Sequence, residues 1–394
     1  MEQTISQLLN AVDNEFPLLV EIRRSIHQEP ELSGMEFKTQ AKIISYLKEW
    51  GIEYQVCAKT GILGFIKGIS QDKCIGLRAD MDALPMQDAK NVSYASKIPG
   101  VSHSCGHDAH VAILLVVAKI LQENRELLKG CVKLFFQPAE EKGGGAYPMI
   151  CEGALEKPHV EAMFGLHMSG RLPIGQIGIQ SKIVCASSRQ IEVEIQGVSA
   201  HGATPESGID AIVVASHVVV AIQSAISRYK SALSPAVITF GTIEGGTKEN
   251  IIADSVRLRG TMRTHDESVE THLVERVSKI IQGVCDGFGA KVKMDFLKGY
   301  PLLKNHEMMA ANLKKNAAKI VGEECVVELL PSMGGEDFAY FSKVCPAVFY
   351  RVGAQNCEKG ISCSEHMSCY DIDEEALRIA AKVQLTSVVD YFNT

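Results

Sequence analysis

Apolar residues recur along the first half of the chain with two alternating spacings, one helical and one strand-like. Helical spacing covers residues 3 to 28, 36 to 50 and 108 to 124. Short strand-like runs occupy four further segments: 61 to 68, 74 to 79, 131 to 137 and 162 to 167. Strands separated by helices favour a mostly parallel or mixed sheet whose functional residues collect on loops at strand ends. We therefore predict an α/β fold with a central mixed sheet flanked by helices.

A different order of elements is predicted between about residues 186 and 300. Strands are predicted at 189 to 197, 236 to 244, 255 to 264 and 291 to 297, and helices at 210 to 228 and 267 to 287. In chain order these segments read β-α-β-β-α-β, the order of a ferredoxin-like unit. Candidate site residues lie on both sides, at 105 to 167 and at His366. We predict that a lid or dimerisation domain, 186 to 300, is inserted into a catalytic domain formed by 1 to 185 and 301 to 394.

Length and charge narrow the range of partners. The 394 residues are 46% hydrophobic, which is enough for a large core and favours two domains. The formal charge is −7 and the basic residues form no stripe, which argues against nucleic acid and anionic membranes as partners. We expect the partner to be a small molecule.

The sequence also predicts where the protein resides. Its first residues carry an acid and lack the cationic start and apolar run of a secretory signal. The most apolar stretch, 212 to 226, contains His217 and Gln223 and is too short to cross a bilayer, so we interpret it as a buried helix. Most of the twelve cysteines are then expected to be reduced and buried. The predicted location is the cytoplasm.

A cluster of metal-binding residue types lies between Ser102 and His110. It packs a thiol, three imidazoles and a carboxylate into nine residues, and an apolar run from 111 to 121 follows. The adjacent carboxylates Glu140 and Glu141 come after the next predicted strand. Thiolate, imidazole and carboxylate together suit zinc or a neighbouring divalent metal. The spacing therefore predicts a metal site at the start of a helix.

Each of these residues also has an ordinary structural explanation. A single histidine such as His167 is more often hydrogen-bonded in a core than bound to metal, and Cys105 alone would be a small buried hydrophobe. Asp80 and Asp82, at the end of a predicted strand, could simply cap turns, but for Asp80 we favour a role in orienting a metal ligand. Only the combination favours a metal site.

Six motifs resemble those of one known family. In chain order they are His27-Gln28-Glu29-Pro30-Glu31-Leu32, Arg78-Ala79-Asp80-Met81-Asp82-Ala83-Leu84-Pro85, Cys105-Gly106-His107-Asp108, Gln137-Pro138-Ala139-Glu140-Glu141, Ala200-His201-Gly202 and Gly334-Gly335-Glu336-Asp337-Phe338. Their order and spacing resemble the amidohydrolase branch of the dinuclear metallopeptidase family that includes aminoacylase and glutamate carboxypeptidase. The resemblance covers essentially the whole chain. Its nearer members would be hippurate hydrolase, N-acyl-amino-acid amidohydrolases, auxin-conjugate hydrolases and N-acetyldiaminopimelate deacetylase.

The resemblance implies a binuclear metal centre. Two divalent ions per subunit would be held by five residues, with the Cys105 thiolate placed to bridge them: Cys105, His107, Glu141, His167 and His366. A bridging thiolate favours zinc, with manganese, cobalt or nickel as alternatives. Glu140 would be the general base, since adjacent residues at a strand end point in different directions and can reach different targets.

The predicted lid is implied to contribute to catalysis as well. The resemblance gives His201 the task of reaching a neighbouring subunit's site and supporting the oxyanion, which makes a homodimer through the inserted domain necessary. Asn250 and Arg263 are weaker candidates for binding the substrate carboxylate. Arg263 could equally be a surface charge at a strand edge.

The function expected from these residues is hydrolysis of an N-acyl amino acid by metal-activated water. Hippurate, N-acetyl amino acids and N-acetyldiaminopimelate, the substrate of a lysine-biosynthesis deacetylase, all fit. Two other hypotheses stay open: a cysteine amidase with Cys105 activated by His107, and a non-catalytic dimeric binding protein.

One segment departs from the family's pattern. Where the branch usually has Ser or Thr followed by Pro after the last metal-binding histidine, this chain has Met367 and Ser368. Cys363 and Cys369 flank that histidine at three residues on each side. They could be redox-sensitive or capture metal, but we expect two inert thiols.

Overall fold

The computed structural model describes residues 2 to 393. The helices, numbered in chain order, are α1 Glu2–Asn14, α2 Phe16–His27, α3 Phe37–Glu49, α4 His107–Glu123, α5 Ala146–Cys151, α6 Ala211–Ala221, α7 Gln223–Arg228, α8 Glu267–Phe288, α9 Glu307–Val321, α10 Ala339–Val344 and α11 Glu375–Asn393. Short 3-10 turns add Arg125–Leu127, Pro205–Ser207, Glu323–Cys325 and Cys357–Lys359.

The strands follow the same chain-order numbering. They are β1 Glu53–Cys57, β2 Gly61–Lys67, β3 Cys74–Asp80, β4 Cys131–Gln137, β5 Ala162–Pro173, β6 Ile177–Ile179, β7 Ile183–Cys185, β8 Ser187–Gln196, β9 Ala236–Gly245, β10 Ser255–Thr264, β11 Lys291–Lys298, β12 Leu303–Lys304, β13 Val326–Glu328 and β14 Ala347–Gln355.

The chain folds into two compact units. The first contains residues 1 to 182, 304 to 330 and 337 to 394, and the second contains 183 to 303 and 331 to 336. The short segment 331 to 336 belongs to the second unit although it lies beyond residue 300, because its backbone bonds to the start of that unit, with Ser332 donating to Val184 O at 2.8 Å.

The first unit is built on an eight-stranded mixed sheet. Its strand order is β1-β2-β4-β3-β5-β14-β6-β13, and the four central strands β4, β3, β5 and β14 are mutually parallel. Strands β3 and β4 are buried at every position, as expected for strands covered on both faces by helices. The predicted α/β fold with a central mixed sheet is confirmed.

Helix α4 is the central helix of this unit. Its side chains are buried on almost every face, because it packs against α2, α11 and strand β3. Gly106, just before the helix, has φ +89°, and a Cβ there would lie 2.9 Å from the Tyr370 hydroxyl. Only glycine fits both the left-handed backbone and this space, so Gly106 fixes the direction in which α4 begins.

The second unit is the predicted ferredoxin-like unit. Its four strands pair antiparallel in the order β11-β8-β10-β9, and α6 and α8 pack together against the sheet. Strand β8 alternates, with Ile191, Val193 and Ile195 buried and the residues between them exposed. Helix α8 begins where the Asp266 carboxylate accepts the backbone N–H of Ser268 at 2.8 Å.

Two helix predictions were wrong in detail. The single helix expected over 3 to 28 is two helices, α1 and α2, with Pro17 in the first turn of the second. The helix expected over 210 to 228 is divided into α6 and α7.

The interpretation of 212 to 226 as buried was also wrong. Val220 is 72% exposed, and Ile212 and Val213 are about half exposed, since only one face of α6 packs against the sheet. By length and composition alone, the helical stretch Ala211–Arg228 could cross a membrane, but a helix of a water-soluble fold passes the same test.

A buried ion network links α2 to α4 and to the segment before α11. Arg23 is 1% exposed and donates from Nε to Asp108 Oδ2 at 2.8 Å and from Nη2 to Asp371 Oδ1 at 2.7 Å. Burial favours the neutral acid, but Arg23 together with His27 and His103 outweighs burial and holds the pKa of Asp108 well below its usual range. At Asp371 burial is likewise outweighed, and Arg23 lowers the pKa.

We expect Arg23→Leu to lower the free energy of unfolding by about 3 to 5 kcal/mol, because it leaves Asp108 and Asp371 buried without their cation. Arg24→Leu is the matched control: Arg24 is half exposed and pairs with Glu374, so its loss should cost about 1 kcal/mol or less. Urea unfolding of both variants measures the difference. Equal losses of unfolding free energy in the two variants would contradict the stabilising role of the buried Arg23 network.

The network also predicts how the stability of the protein changes at low pH. A carboxylate whose pKa is lowered in the folded state stabilises the protein above its unfolded pKa of about 4, and this stability is lost as pH falls through the folded pKa. The difference in unfolding free energy between wild type and Arg23→Leu should therefore narrow as the pH falls below about 4. A difference that stays constant as the pH falls further would contradict the assigned ionisation.

Candidate metal centre

The predicted ligands meet at the carboxyl ends of the parallel strands. His107 is the first residue of α4, Glu140 and Glu141 follow β4, and His167 lies within β5. His366 lies on the loop before α11. In α/β sheets this edge is where ligand sites are usually built.

Cys105, His107 and His167 form a buried group. Their candidate ligand atoms lie within 4.8 Å of one another, and Cys105 Sγ is 3.3 Å from His167 Nε2. A thiolate and two imidazoles at this spacing match the donor set that zinc prefers.

A second group consists of Cys105, Glu141 and His366. Its ligand atoms also lie within 4.8 Å of one another, and His366 Nε2 approaches Glu141 Oε1 to 3.2 Å. Cys105 belongs to both groups, so one sulfur faces two sets of donors. This is the arrangement that a thiolate bridging two cations requires.

Hydrogen bonds determine which nitrogen each histidine presents. The Nδ1 of His107 lies 2.9 Å from the Asp82 carbonyl oxygen, and the Nδ1 of His167 lies 2.6 Å from the Met168 carbonyl oxygen. A carbonyl only accepts, so both Nδ1 atoms carry a proton, and in the neutral imidazoles both Nε2 atoms present a lone pair. A carbonyl or carboxylate behind an imidazole is the usual support of a metal-binding histidine.

Two buried polar atoms are left without a hydrogen-bond partner here. They are His107 Nε2 and Glu141 Oε1; the 3.2 Å approach of His366 to Glu141 lacks hydrogen-bond geometry. A buried acceptor with no donor is costly, and a cation would satisfy both atoms. These residues therefore fit a divalent metal.

Electrostatics point the same way. Burial raises the pKa of the Cys105 thiol well above its usual value, and Glu141, Glu140 and Asp80 raise it further. Burial works against protonation of His107, but Asp80, Asp82 and Glu141 raise its pKa to about 10. The cluster has an excess of negative charge that protons or divalent cations can balance.

Asp80 lies behind the first group, at the end of β3. Its Oδ2 is 3.6 Å from His107 Nε2 and accepts a hydrogen bond from Arg78 Nη1 at 2.6 Å. Burial favours the neutral acid, but Arg78, His107 and His110 hold the pKa of Asp80 well below its usual range. Asp80 is thus an anion that contacts two imidazoles of α4.

Asp82 contacts two of the predicted ligands. Its Oδ1 lies 3.2 Å from His107 Nδ1, while its Oδ2 accepts the backbone N–H of Glu141 at 3.0 Å and the Ser33 hydroxyl at 2.6 Å. Asp82 therefore sets the position of His107 and of Glu141 together.

Glu140 lies beside the candidate ligands. One of its carboxylate oxygens is within 4.8 Å of a carboxylate oxygen of Glu141 and of a ring nitrogen of His107. Glu140 is 8% exposed. The preceding Ala139 has φ +56°, and its N–H donates to Glu36 Oε1 at 2.9 Å. Glu36 thereby holds the unusual turn that carries Glu140 from the strand end to the site.

Sequence reasoning gave too little weight to His110, for which ordinary polar contacts had been favoured, and missed Arg78 and Glu36. His110 bonds to Asp80 through Nδ1 and accepts the Met168 N–H at Nε2, 2.8 Å away, so it joins two sides of the site. Its position three residues after His107 on one helix face was a usable signal. Arg78 and Glu36 gave no comparable signal.

The second unit holds the other predicted residues. His201 and Asn250 lie together, since Ile251 bridges to His201 and the Gly202 N–H donates to Asn250 O at 2.8 Å. Arg263 lies near the far end of β10 and donates to Thr261 Oγ1 at 2.8 Å. The structure does not bring Arg263 to His201: eight residues of extended strand separate the two ends, roughly 25 Å.

The prediction of two inert thiols beside His366 was wrong. Cys363 and Cys369 form a disulfide, with Cα atoms 5.9 Å apart. The six-residue spacing allowed this pairing, but a cytoplasmic location argued against it.

The chain is similar to known proteins in sequence and in structure. N-acetyl-L-cysteine deacetylase of Bacillus subtilis is 39% identical over 360 residues, which cover 91% of this chain and 84% of that protein. An IAA-amino acid hydrolase of Arabidopsis thaliana is 38% identical over 381 residues, 95% of this chain and 85% of the relative. A Bacillus subtilis crystal structure described as a dinuclear metal binding peptidase superposes with a TM-score of 0.84 at 32% identity, covering 97% and 99% of the two chains.

Residues 76 to 389 match the sequence model of peptidase family M20/M25/M40. This match spans most of the chain, and the two sequence relatives are similar over nine-tenths of it or more. The chain therefore belongs to peptidase family M20/M25/M40.

Proposed function

We propose that this protein is a metal-dependent amidohydrolase that splits an N-acyl amino acid into a carboxylic acid and a free amino acid. One observation carries the proposal: two groups of candidate ligand atoms share Cys105, and the Glu140 carboxylate lies directly beside them. This is a site for hydrolysis rather than for metal storage, because a storage site needs no extra carboxylate at the metals.

The relatives support the substrate class. One is named for removing acetyl from N-acetyl-L-cysteine and another for hydrolysing IAA-amino acid conjugates. Both names describe an amide between an acyl group and an amino acid. N-acetyldiaminopimelate belongs to the same chemical class and remains a candidate substrate.

Two divalent ions per subunit would be held by the five predicted residues: Cys105, His107, Glu141, His167 and His366. Bound there, they would polarise the amide carbonyl and lower the pKa of the attacking water. We propose zinc, since the sulfur and imidazole donors favour it, with manganese, cobalt and nickel as alternatives.

Glu140 acts as the general base and then as the general acid. Its carboxylate accepts a proton from the attacking water and afterwards donates that proton to the nitrogen of the leaving amine. Asp80 acts through its neighbours: held by Arg78, it positions the imidazoles of His107 and His110.

The second unit supplies groups that bind the developing oxyanion and the substrate carboxylate. His201 presents an exposed imidazole whose Nδ1 accepts the Ala203 N–H at 3.0 Å, so its other nitrogen carries the proton and points away as a donor. Asn250 lies beside His201, and the guanidinium group of Arg263 can donate two hydrogen bonds to a carboxylate. We propose that His201 serves the site of a second subunit, so the active form is a cytoplasmic homodimer.

The cysteine-amidase hypothesis is less well supported. A nucleophilic cysteine needs a lowered pKa, whereas burial and carboxylates raise that of Cys105. It would also leave Glu140 and Glu141 without a purpose. A silent binding protein would not need Glu140 at all.

Removing the metal should abolish turnover. We expect chelator-stripped protein to release no amino acid from a panel that includes N-acetyl-L-cysteine, hippurate and N-acetyldiaminopimelate, and zinc, manganese or cobalt to restore release. The panel's best member would give the acyl group and amino acid. Activity that is indifferent to stripping would contradict the metal mechanism.

Glu140→Gln should lower kcat about a hundredfold or more without loss of bound metal, because the amide keeps the shape but cannot accept the proton. Glu141→Gln is the matched control and should lose metal as well as activity. Assay of amino-acid release, with metal content by atomic absorption, separates the two. A Glu140→Gln variant with normal kcat would exclude Glu140 as the base.

The proposed exchange of His201 between subunits predicts complementation. Alone, His201→Ala and Glu140→Gln should each be nearly inactive. Co-expressed, half of the dimers are mixed and hold one complete site each, so activity should return to about one quarter of wild type. No recovery would show that His201 acts within its own subunit or not at all.

A further inference from the structure

The Cys363–Cys369 disulfide closes a seven-residue loop with His366 at its centre. His366 lies three positions from each half-cystine, with two residues between them on either side. The two sulfurs are at the surface, where Cys369 is exposed and Cys363 half-buried. This loop carries His366, which is the most exposed of the five proposed ligands and lies outside every helix and strand.

The other proposed ligands are much better enclosed. The His107 side chain is fully buried in the first turn of α4, and His167 is 5% exposed within β5. The His366 side chain is 55% exposed. Its position therefore depends on the loop rather than on the core.

The loop holds His366 in an uncommon backbone conformation. Its φ is +63°, a left-handed value that L residues with a side chain rarely adopt without outside constraint. Its N–H donates to Ser104 O at 2.8 Å, next to Cys105, and Ser368 O accepts the Ala89 N–H at 2.9 Å. Both contacts are made by residues inside the loop that the disulfide closes.

We propose that Cys363 and Cys369 are a redox site that controls how tightly the Cys105, Glu141 and His366 group holds its metal. The inference rests on the proposed function, because it takes His366 as a metal ligand. The closed disulfide fixes the conformation of His366; the dithiol leaves the loop free to relax, so the imidazole spends less time at the donor position.

The exchange partner is a low-molecular-mass thiol and its disulfide. A thiolate attacks the exposed Cys369 sulfur, the bond to Cys363 breaks, and Cys363 leaves as a thiolate that takes a proton from water. A second thiolate releases Cys369, so two thiols are oxidised to one small disulfide while the protein gains two electrons and two protons. The reverse reaction closes the loop. In a thiol-rich compartment an exposed disulfide of this kind is reversible.

The test measures Co²⁺ binding to stripped protein by its thiolate absorption, alongside mass spectrometry of alkylated thiols. Disulfide-closed wild type is compared with the same protein reduced by a phosphine that is then removed, and with Cys363→Ser/Cys369→Ser. Cys357→Ser is the matched control, an exposed cysteine on the same segment that is not part of the disulfide. Amino-acid release is recorded in parallel.

We expect reduction of the wild type and the double substitution each to weaken one of two Co²⁺ binding steps by roughly tenfold. Reductant should not change Co²⁺ binding by the double variant. The Cys357→Ser substitution should not change Co²⁺ binding either. Unchanged or tighter binding after reduction overturns the proposal, as does a 363–369 pair that stays oxidised in millimolar reduced glutathione. Should the double variant fail to fold, reversible reduction of wild type decides the question.

The parallel assay separates this inference from the proposed function. If reduction weakens Co²⁺ binding but the protein hydrolyses none of the amides, the redox-site proposal stands and the amidohydrolase proposal is contradicted. If the protein hydrolyses an amide but binds Co²⁺ equally well in the disulfide and dithiol forms, the amidohydrolase proposal stands and the redox-site proposal is wrong.

Discussion

Charge balance among carboxylates cut off from water is the constraint on which the first unit depends. Asp80, Asp82, Asp108 and Asp337 are at most 1% exposed. An ion in such a place is tolerable only with a partner charge and saturated hydrogen bonds. Arg78 joins Asp80 to Asp337, and Arg23 joins Asp108 to Asp371. The two guanidinium groups thus tie the start of α4 to strand ends and to distant loops.

This balance explains why the site can be both rigid and reactive. The buried cations neutralise the carboxylates behind the candidate ligands, while the Cys105 sulfur and the Glu141 and Glu140 carboxylates lie together as possible metal donors. A divalent ion completes the same balance from the inner side. Substitutions that disturb the outer cations should therefore act on the site as well as on stability, since the same anions serve both.

Much of the fold could be predicted where one pattern dominates. Helix α8 was predicted almost residue for residue because its apolar positions recur every four residues behind the capping Asp266. The exposed face of α6 could not be predicted, because apolar residues occur on every side of the helix and no periodicity shows which side is buried. For the site, motif order indicated which residues to examine. The pairing of Arg78 with Asp337, 259 residues apart, depends on tertiary distance alone.

The second unit presents its candidate groups at opposite ends of one sheet. His201 and Asn250 adjoin the start of β10, and Arg263 lies near its end. An N-acyl amino acid is far shorter than the roughly 25 Å of strand between them. One copy of this unit therefore cannot bring both ends to one substrate, whereas two copies can supply one end each. In the proposed homodimer, the apolar face left open on α6 would be a surface for the second copy to bury, which would account for the exposure of Val220 as well as for the separation of His201 from Arg263.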